Sequence, residues 1–264
     1  MNTTDANPGT HNLFSLSGRS IVVTGGAGHI GRPLCVFLQE SGADVLCLSS
    51  RTHEFPAAES GPGTITSLAC DVRDEAAFLA VVEGFAETRN GIDCLVNNAT
   101  RAPRGIDFDI SREDVNAVFD SVFTHYFTCS RALLPLFRDS QASIVNNATI
   151  WGMVSPDPRV YLDLKNEPSF ALGPAKAAII NLTKYMAVML APNGIRVNAV
   201  VPGWFPQRRG PDNPDYMHQI ESRIPMGRIG QPSELSGVIA FLLSDAASYI
   251  TGQSLVVDGG YTIW

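Results

Sequence analysis

Short apolar runs rich in branched residues alternate along this chain with longer stretches whose apolar positions recur at helical spacing. Ser20–Thr24 reads SIVVT and stops at glycine, as a buried strand does. Ile30–Glu40 follows with helical spacing, then Asp44–Leu48 and Ile65–Cys70 as strands. Glu75–Phe85 reads as helix and Ile92–Val96 as a fourth strand that ends at Asn97-Asn98. Ser111 is the N-cap of a long helix that runs toward Pro135. Ser143–Asn147 is a strand. Lys176–Leu190 is an amphipathic helix with Ile179, Leu182, Met186 and Met189 on one face. Ile195–Val201, Pro232–Leu243 and Ser254–Val257 complete the series as strand, helix and strand. Strands joined by single helices imply parallel crossovers, hence an α/β doubly wound parallel sheet with helices on both faces.

The composition suits this picture. The chain has 264 residues, 45% hydrophobic and 17% charged, which fits one large domain with a sizeable core. Residues 1–12 are polar and read as a flexible arm ahead of a domain over 13–264. That arm has no apolar signal core, and no apolar run nears the ~20 residues that span a bilayer. A net charge of −7 argues against a nucleic-acid or anionic-membrane surface. Arg208-Arg209 reads as a solvated loop. The cysteines are Cys35, Cys47, Cys70, Cys94 and Cys129, mostly in apolar runs and without a CxxC pair. They read as buried thiols of a cytoplasmic protein rather than disulfides or a metal site. The Pro-rich stretches 155–168 and 201–214 are expected to cover a site.

The chemistry starts at Thr24-Gly25-Gly26-Ala27-Gly28-His29-Ile30-Gly31, between the first strand and its helix. Gly26, Gly28 and Gly31 spell GxGxxG. Glycine allows a tight turn, close backbone approach to a pyrophosphate, and close helix–sheet packing. The free N–H groups of the helix start then favour phosphate. In its strand–turn–helix context this is a dinucleotide loop. The second strand ends Leu48-Ser49-Ser50-Arg51, with no carboxylate for ribose hydroxyls. Arg51 either pairs with a 2′-phosphate, which favours NADP(H) over NAD(H), or is a solvated loop residue.

From about Leu13 to Tyr261 the sequence resembles the short-chain dehydrogenase/reductase family, a Rossmann-type single-domain fold. The glycine loop carries the resemblance together with Cys70-Asp71-Val72, Asn97-Asn98-Ala99-Thr100, the run from Ile195 to Pro202-Gly203, and Gly252-Gln253 through Asp258-Gly259-Gly260. Asn97–Thr100 is similar to NNAG with threonine for glycine. The resemblance implies a cofactor site of Gly25, Gly28, His29, Ile30, Gly31, Ser50, Arg51, Asp71, Val72, Asn98, Ala99, Thr100, Lys176, Pro202, Gly203 and Phe205. It also implies a homotetramer or homodimer, built through the two long helices and the C-terminal segment.

The family's active site combines asparagine, serine, tyrosine and lysine. Aligned on Lys176-Ala177-Ala178, the lysine is Lys176, the tyrosine position is Leu172, the serine position is Thr149 and the asparagine position is Val122. Leucine has no proton to give. Tyr161–Lys165 also spells YxxxK, twelve residues after Thr149, but Pro168 follows where the family has a long helix. Tyr161 therefore falls in an inserted loop near 153–171. There it either swings over the nicotinamide to supply the missing hydroxyl or is an ordinary loop aromatic.

His125 and Tyr126, one turn from Val122, are further candidates for proton transfer or for packing. Trp151 and Trp204 line an aromatic substrate pocket or pack in the core.

The expected activity is hydride transfer between NADP(H) and a small carbonyl, alcohol or conjugated, electron-poor substrate. Thr149, Lys176 and Tyr161 are the catalytic candidates. A non-redox enzyme and a silent NADP(H)-binding protein are the alternatives.

Overall fold

The computed structural model describes residues 13–55, 62–101, 110–138, 141–157, 159, 170–206 and 214–264. Seven strands form one parallel sheet: β1 (Ser20–Thr24), β2 (Asp44–Ser49), β3 (Thr64–Ala69), β4 (Cys94–Asn97), β5 (Ser143–Asn147), β6 (Arg196–Pro202) and β7 (Ser254–Val257). Their order is β3-β2-β1-β4-β5-β6-β7. The chain thus winds outward from β1 on one side, then returns to place β4 on the other. That reversal opens a crevice between the carboxyl ends of β1 and β4, where such sheets hold their ligands.

Side-chain alternation sorts the core into two layers. Ile21, Val23, Val45, Cys47, Cys94 and Val96 face α1 (Gly31–Glu40) and α7 (Pro232–Leu243), which supply Leu34, Leu38, Leu235 and Ile239. Val22, Leu46, Leu48 and Leu95 face the opposite way. They meet Phe78, Val82, Leu133 and Ala187 of α2 (Glu75–Glu87), α4 (His125–Leu133) and α5 (Leu172–Leu190). The inner strands are buried along their whole length, so they read as continuous apolar runs.

The helix ends follow their side chains. Ser111 caps α3 (Arg112–Phe119) by accepting from the Asp114 N–H at 3.0 Å, and Asp74 caps α2 in the same way. The expected long helix from Ser111 toward Pro135 is present and carries a π-bulge. The bulge over Asp120–Thr124 joins α3 to α4 in one helical path, and Pro135 lies in a closing 3-10 turn. Ile92 precedes β4 because its N–H is taken by Leu136, outside the ladder. A helix absent from the sequence reading, α6 (Pro214–Glu221), packs Ile220 with Tyr216 and Ile224.

The apolar face assigned to α5 needs correction. The residues it buries are Ala175, Lys176, Ile179, Thr183 and Ala187. Leu182 and Met186 are only half-buried and Met189 is 70% exposed. The sheet side of α5 follows a spacing of four residues set by small and branched side chains. Among the described residues, no helix is long and apolar enough to cross a membrane.

Candidate active site

A cleft of about 850 Å³ lies at the crevice beyond β1 and β4. Its floor is held by amides. Thr24 Oγ1 accepts the Asn98 and Ala99 N–H groups at 3.0 and 3.1 Å. Asn98 Nδ2 donates back to the Thr24 and Gly25 carbonyls at 3.1 and 3.0 Å. Asn147 Nδ2 donates to Asn98 Oδ1 at 2.8 Å, which ties β5 into the same chain of bonds. Below, Asn97 Nδ2 donates to Asn146 Oδ1 at 2.9 Å, and Asn146 Nδ2 donates to Thr183 of α5 at 2.9 Å. These bonds register three strand ends and a helix against one another, in a buried place where unpaired amides would be costly.

The glycine turn forms one wall. Gly25 has φ +64°, and a Cβ there would sit 2.7 Å from Ala99 Cα. Gly31 carries no cleft surface, contrary to its expected place among the cofactor residues. It lies beneath the turn, where a Cβ would come within 2.3 Å of the Gly25 carbonyl oxygen. It therefore sets how closely α1 approaches. No acidic residue occupies the first turn of α1, and no side chain caps it. Its positive end thus faces the cleft uncompensated. His29 lines the same wall with a buried Nε2 that has no hydrogen-bond partner.

The far end of the cleft is cationic. Arg51 is exposed at the mouth with His53 beside it, and Ser49 Oγ donates to the Arg51 carbonyl at 2.6 Å. Asp71 and Val72 line the opposite side, where Arg73 holds Asp71 through two bonds of 2.9 and 2.6 Å. That pairing keeps the Asp71 carboxyl well below the usual range.

Lys176 is the buried amine of the cleft. It is 4% exposed, and its Nζ donates to the Asn147 carbonyl at 2.5 Å, Thr100 Oγ1 at 3.0 Å and Tyr126 OH at 3.1 Å. Burial lowers its pKa to about 7. Tyr126 is fully buried, and its OH donates to the Asn147 carbonyl at 3.1 Å. Burial raises the phenol far above its ordinary value, so Tyr126 positions Lys176 and is no acid. His125 lines the cleft with Nε2 3.1 Å from the Ala99 carbonyl. Burial first, and the charge of Lys176 second, lower it to about 4, so the ring is neutral near pH 7.

Gly28, Ile30, Ser50, Ala99, Thr100, Thr149, Pro202, Gly203 and Phe205 all line the cleft. Tyr161 lies outside the described residues. Leu172 opens α5 one turn before Lys176 and packs with Val118 and Val122 in an apolar cluster. Trp151 and Trp204 are absent from the cleft wall. They meet edge to face at 5.5 Å and both contact Tyr261. The sequence reading also missed the Asn147 carbonyl, His53, Arg73 and Ser121 as cleft residues. The repeated Asn-Asn at the ends of β4 and β5 was the signal for the first of these.

A family model described as enoyl-(acyl carrier protein) reductase matches residues 25–262. Oxidoreductase UcpA of Salmonella typhimurium is 33% identical, with 95% of this chain and 97% of the relative covered. A short-chain dehydrogenase of Leptospira borgpetersenii with bound NAD+ has a TM-score of 0.83 at 28% identity, covering 94% of each chain. RhlG of Pseudomonas aeruginosa, solved as an NADP active-site complex, has a TM-score of 0.80 at 28% identity, over 95% of this chain and 99% of its own. The chain belongs to the short-chain dehydrogenase/reductase family and is an oxidoreductase of that type.

Proposed function

We propose that the chain uses NADP(H) to interconvert a small carbonyl or conjugated compound and its reduced form, in a site where Leu172 stands in place of the family's tyrosine. The observation that carries the cofactor choice is the end of β2. There Arg51 lies at the cleft mouth and no carboxylate from Leu48–Arg51 competes for it. A guanidinium pairs well with a 2′-phosphate, and a carboxylate there would repel one.

Three features fit a dinucleotide in this cleft. They are the cradle that a Cβ on Gly25 would fill, the uncapped start of α1, and the unpartnered Nε2 of His29. Gly28, Ile30 and Gly25 would hold the pyrophosphate, and Asp71 and Val72 would flank the adenine. Asn98, Ala99, Thr100, Lys176, Pro202, Gly203 and Phe205 would surround the nicotinamide riboside. When bound, the nicotinamide supplies or takes the hydride. Thr149 polarises the substrate oxygen, and Lys176 holds the ribose hydroxyls by trading one of its three protein acceptors for them. Acid catalysis contributes ~10²–10⁴-fold, so a site without tyrosine still serves an electron-poor acceptor.

Titration of the protein with NADPH and NADH tests the cofactor choice. NADPH is expected to bind at least about tenfold more tightly, a difference of ~1.4 kcal/mol. Arg51→Ala should remove most of that gap. Equal affinities in both proteins would contradict it.

A second copy of this chain is the partner we assign to α4 and α5. Phe123, Phe127, Leu182, Tyr185, Met186 and Met189 form an almost wholly apolar groove there. Exposed apolar surface of this kind marks an interface. The five buried free thiols support a cytoplasmic setting.

A further inference from the structure

Lys176 has three N–H bonds and three acceptors, and one of those acceptors departs from the resembled motif. Thr100 stands where the resembled motif has glycine. With glycine there, Lys176 Nζ would keep only Tyr126 OH and the Asn147 carbonyl. Of those two, the Asn147 carbonyl carries no proton to pass on. Tyr126 is fully buried, and its proton already goes to Asn147. Thr100 is exposed, lines the cleft, and lies 3.0 Å from Nζ. It is the hydroxyl that connects the buried amine to the open cleft.

We propose that Thr100 is the hydroxyl through which Lys176 exchanges its proton with the substrate oxygen, a route that takes over the work of the missing tyrosine. The proposal rests on the oxidoreductase reading above. In the reducing direction the substrate carbon gains a hydride and its oxygen becomes an alkoxide. The Thr100 O–H bond breaks as the new O–H bond forms on that oxygen. A Lys176 N–H bond breaks as its proton passes to Thr100 Oγ1. This leaves a neutral amine, which recovers a proton from water in the cleft. One proton is consumed for each hydride, and the oxidising direction is the reverse.

The electrostatics suit the task. The groups facing Lys176 are His125 and Tyr126 from α4, Asn147 from β5 and Thr100 from the loop after β4. None is a carboxylate that would hold the ammonium charged. Burial brings the amine to about 7, close to the operating pH, where an acid–base group transfers protons most readily. His125 cannot substitute, because its Nε2 is held by the Ala99 carbonyl and its pKa is about 4.

The test compares wild type with Thr100→Val, Thr100→Ala and Thr100→Ser. The sequence has three lysines, Lys165, Lys176 and Lys184, so a lysine carbon label gives a resolved NMR titration of Lys176. Turnover is read with phenanthrenequinone and NADPH. Without the hydroxyl the charged amine loses an acceptor, so in Thr100→Val the Lys176 titration should move to lower pH. The kcat, read at saturating NADPH, should fall ~100-fold or more, and Thr100→Ser should restore most of the rate.

Wild-type turnover in either the valine or the alanine variant, with an unmoved Lys176 titration, would overturn the relay. The alanine variant covers the case in which valine disturbs the loop. Wild-type protein that binds neither NADPH nor NADH would instead overturn the nucleotide reading. The lysine titration would then still report whether Thr100 and Lys176 are coupled.

Discussion

Gly31 and Gly28 share one motif but do different work. A Cβ on Gly31 would lie 2.3 Å from the Gly25 carbonyl oxygen, so α1 or the turn must move. A Cβ on Gly28 meets the same carbonyl oxygen at 3.2 Å, which a small adjustment absorbs. Gly31→Ala should therefore lower stability by ~1–3 kcal/mol in urea unfolding and abolish NADPH binding. Gly28→Ala should fold normally and weaken binding modestly. The reverse ranking would contradict the packing role assigned to Gly31. The glycines and Lys176 were legible in the sequence because each belongs to a short motif with fixed spacing. The contacts of Lys176 were not. They join residues 100, 126, 147 and 176, which only the closing of the sheet brings together. Tyr126 likewise read as a candidate for proton transfer, and only its complete burial shows that it cannot reach the cleft.

At the scale of elements, the strands were legible almost to the residue, because inner strands of a parallel sheet are apolar throughout. The inner strands Ser20–Thr24 and Ser143–Asn147 match the sequence reading at both ends, as does the edge strand Ser254–Val257. Helix faces were harder. Periodicity shows that Ile179, Leu182, Met186 and Met189 share a side of α5, but not that the sheet prefers the side carrying Thr183 and Ala187. Thr183 is buried because Asn146 donates to it, a polar reason that no hydrophobic pattern carries. The outward apolar stripe is the face we assign to a second copy. Leu182→Glu should convert the assembly to monomers of 28.4 kDa in light scattering while the fold is retained. Introducing a charge into a groove that a second copy covers is strongly unfavourable. An unchanged assembly mass would contradict the choice of this face. The π-turn at Asp120–Thr124 left no mark in the sequence pattern, since one extra residue shifts the helical phase only locally.

For the whole molecule, two buried bases link stability to pH. Lys176 moves from an ordinary value of 10.5 to about 7. Between those values the unfolded chain takes up a proton that the folded chain refuses. Stability is therefore lost as pH falls from 10.5 toward 7, with no further loss from this group below that. His125 moves from 6.5 to about 4, and by the same sign its contribution is lost as pH falls from 6.5 to 4. That second loss comes to ~3 kcal/mol, because a tenfold change in proton affinity is worth about 1.4 kcal/mol. Lys176→Met should melt at or above the wild-type temperature at pH 7 and show a flatter alkaline limb, while nucleotide binding weakens. His125→Gln should flatten the acid limb. Melting scans from pH 4 to 10 check both, and a Lys176→Met protein that melts well below wild type at pH 7 would contradict the burial of a strained amine. The fold holds this buried amine at the expense of stability.

Everything proposed for this cleft turns on one arrangement: NADP(H) bound beside β1 and β4, with Arg51 at the 2′-phosphate and Lys176 at the ribose. Fluorescence titration with NADPH and NADH on wild type, Arg51→Ala and Lys176→Ala tests it most directly. We predict tight NADPH binding to wild type, a preference for NADPH that Arg51→Ala removes, and weaker binding of both nucleotides to Lys176→Ala. Binding of neither nucleotide to the wild-type protein, or affinities that both substitutions leave unchanged, would contradict it.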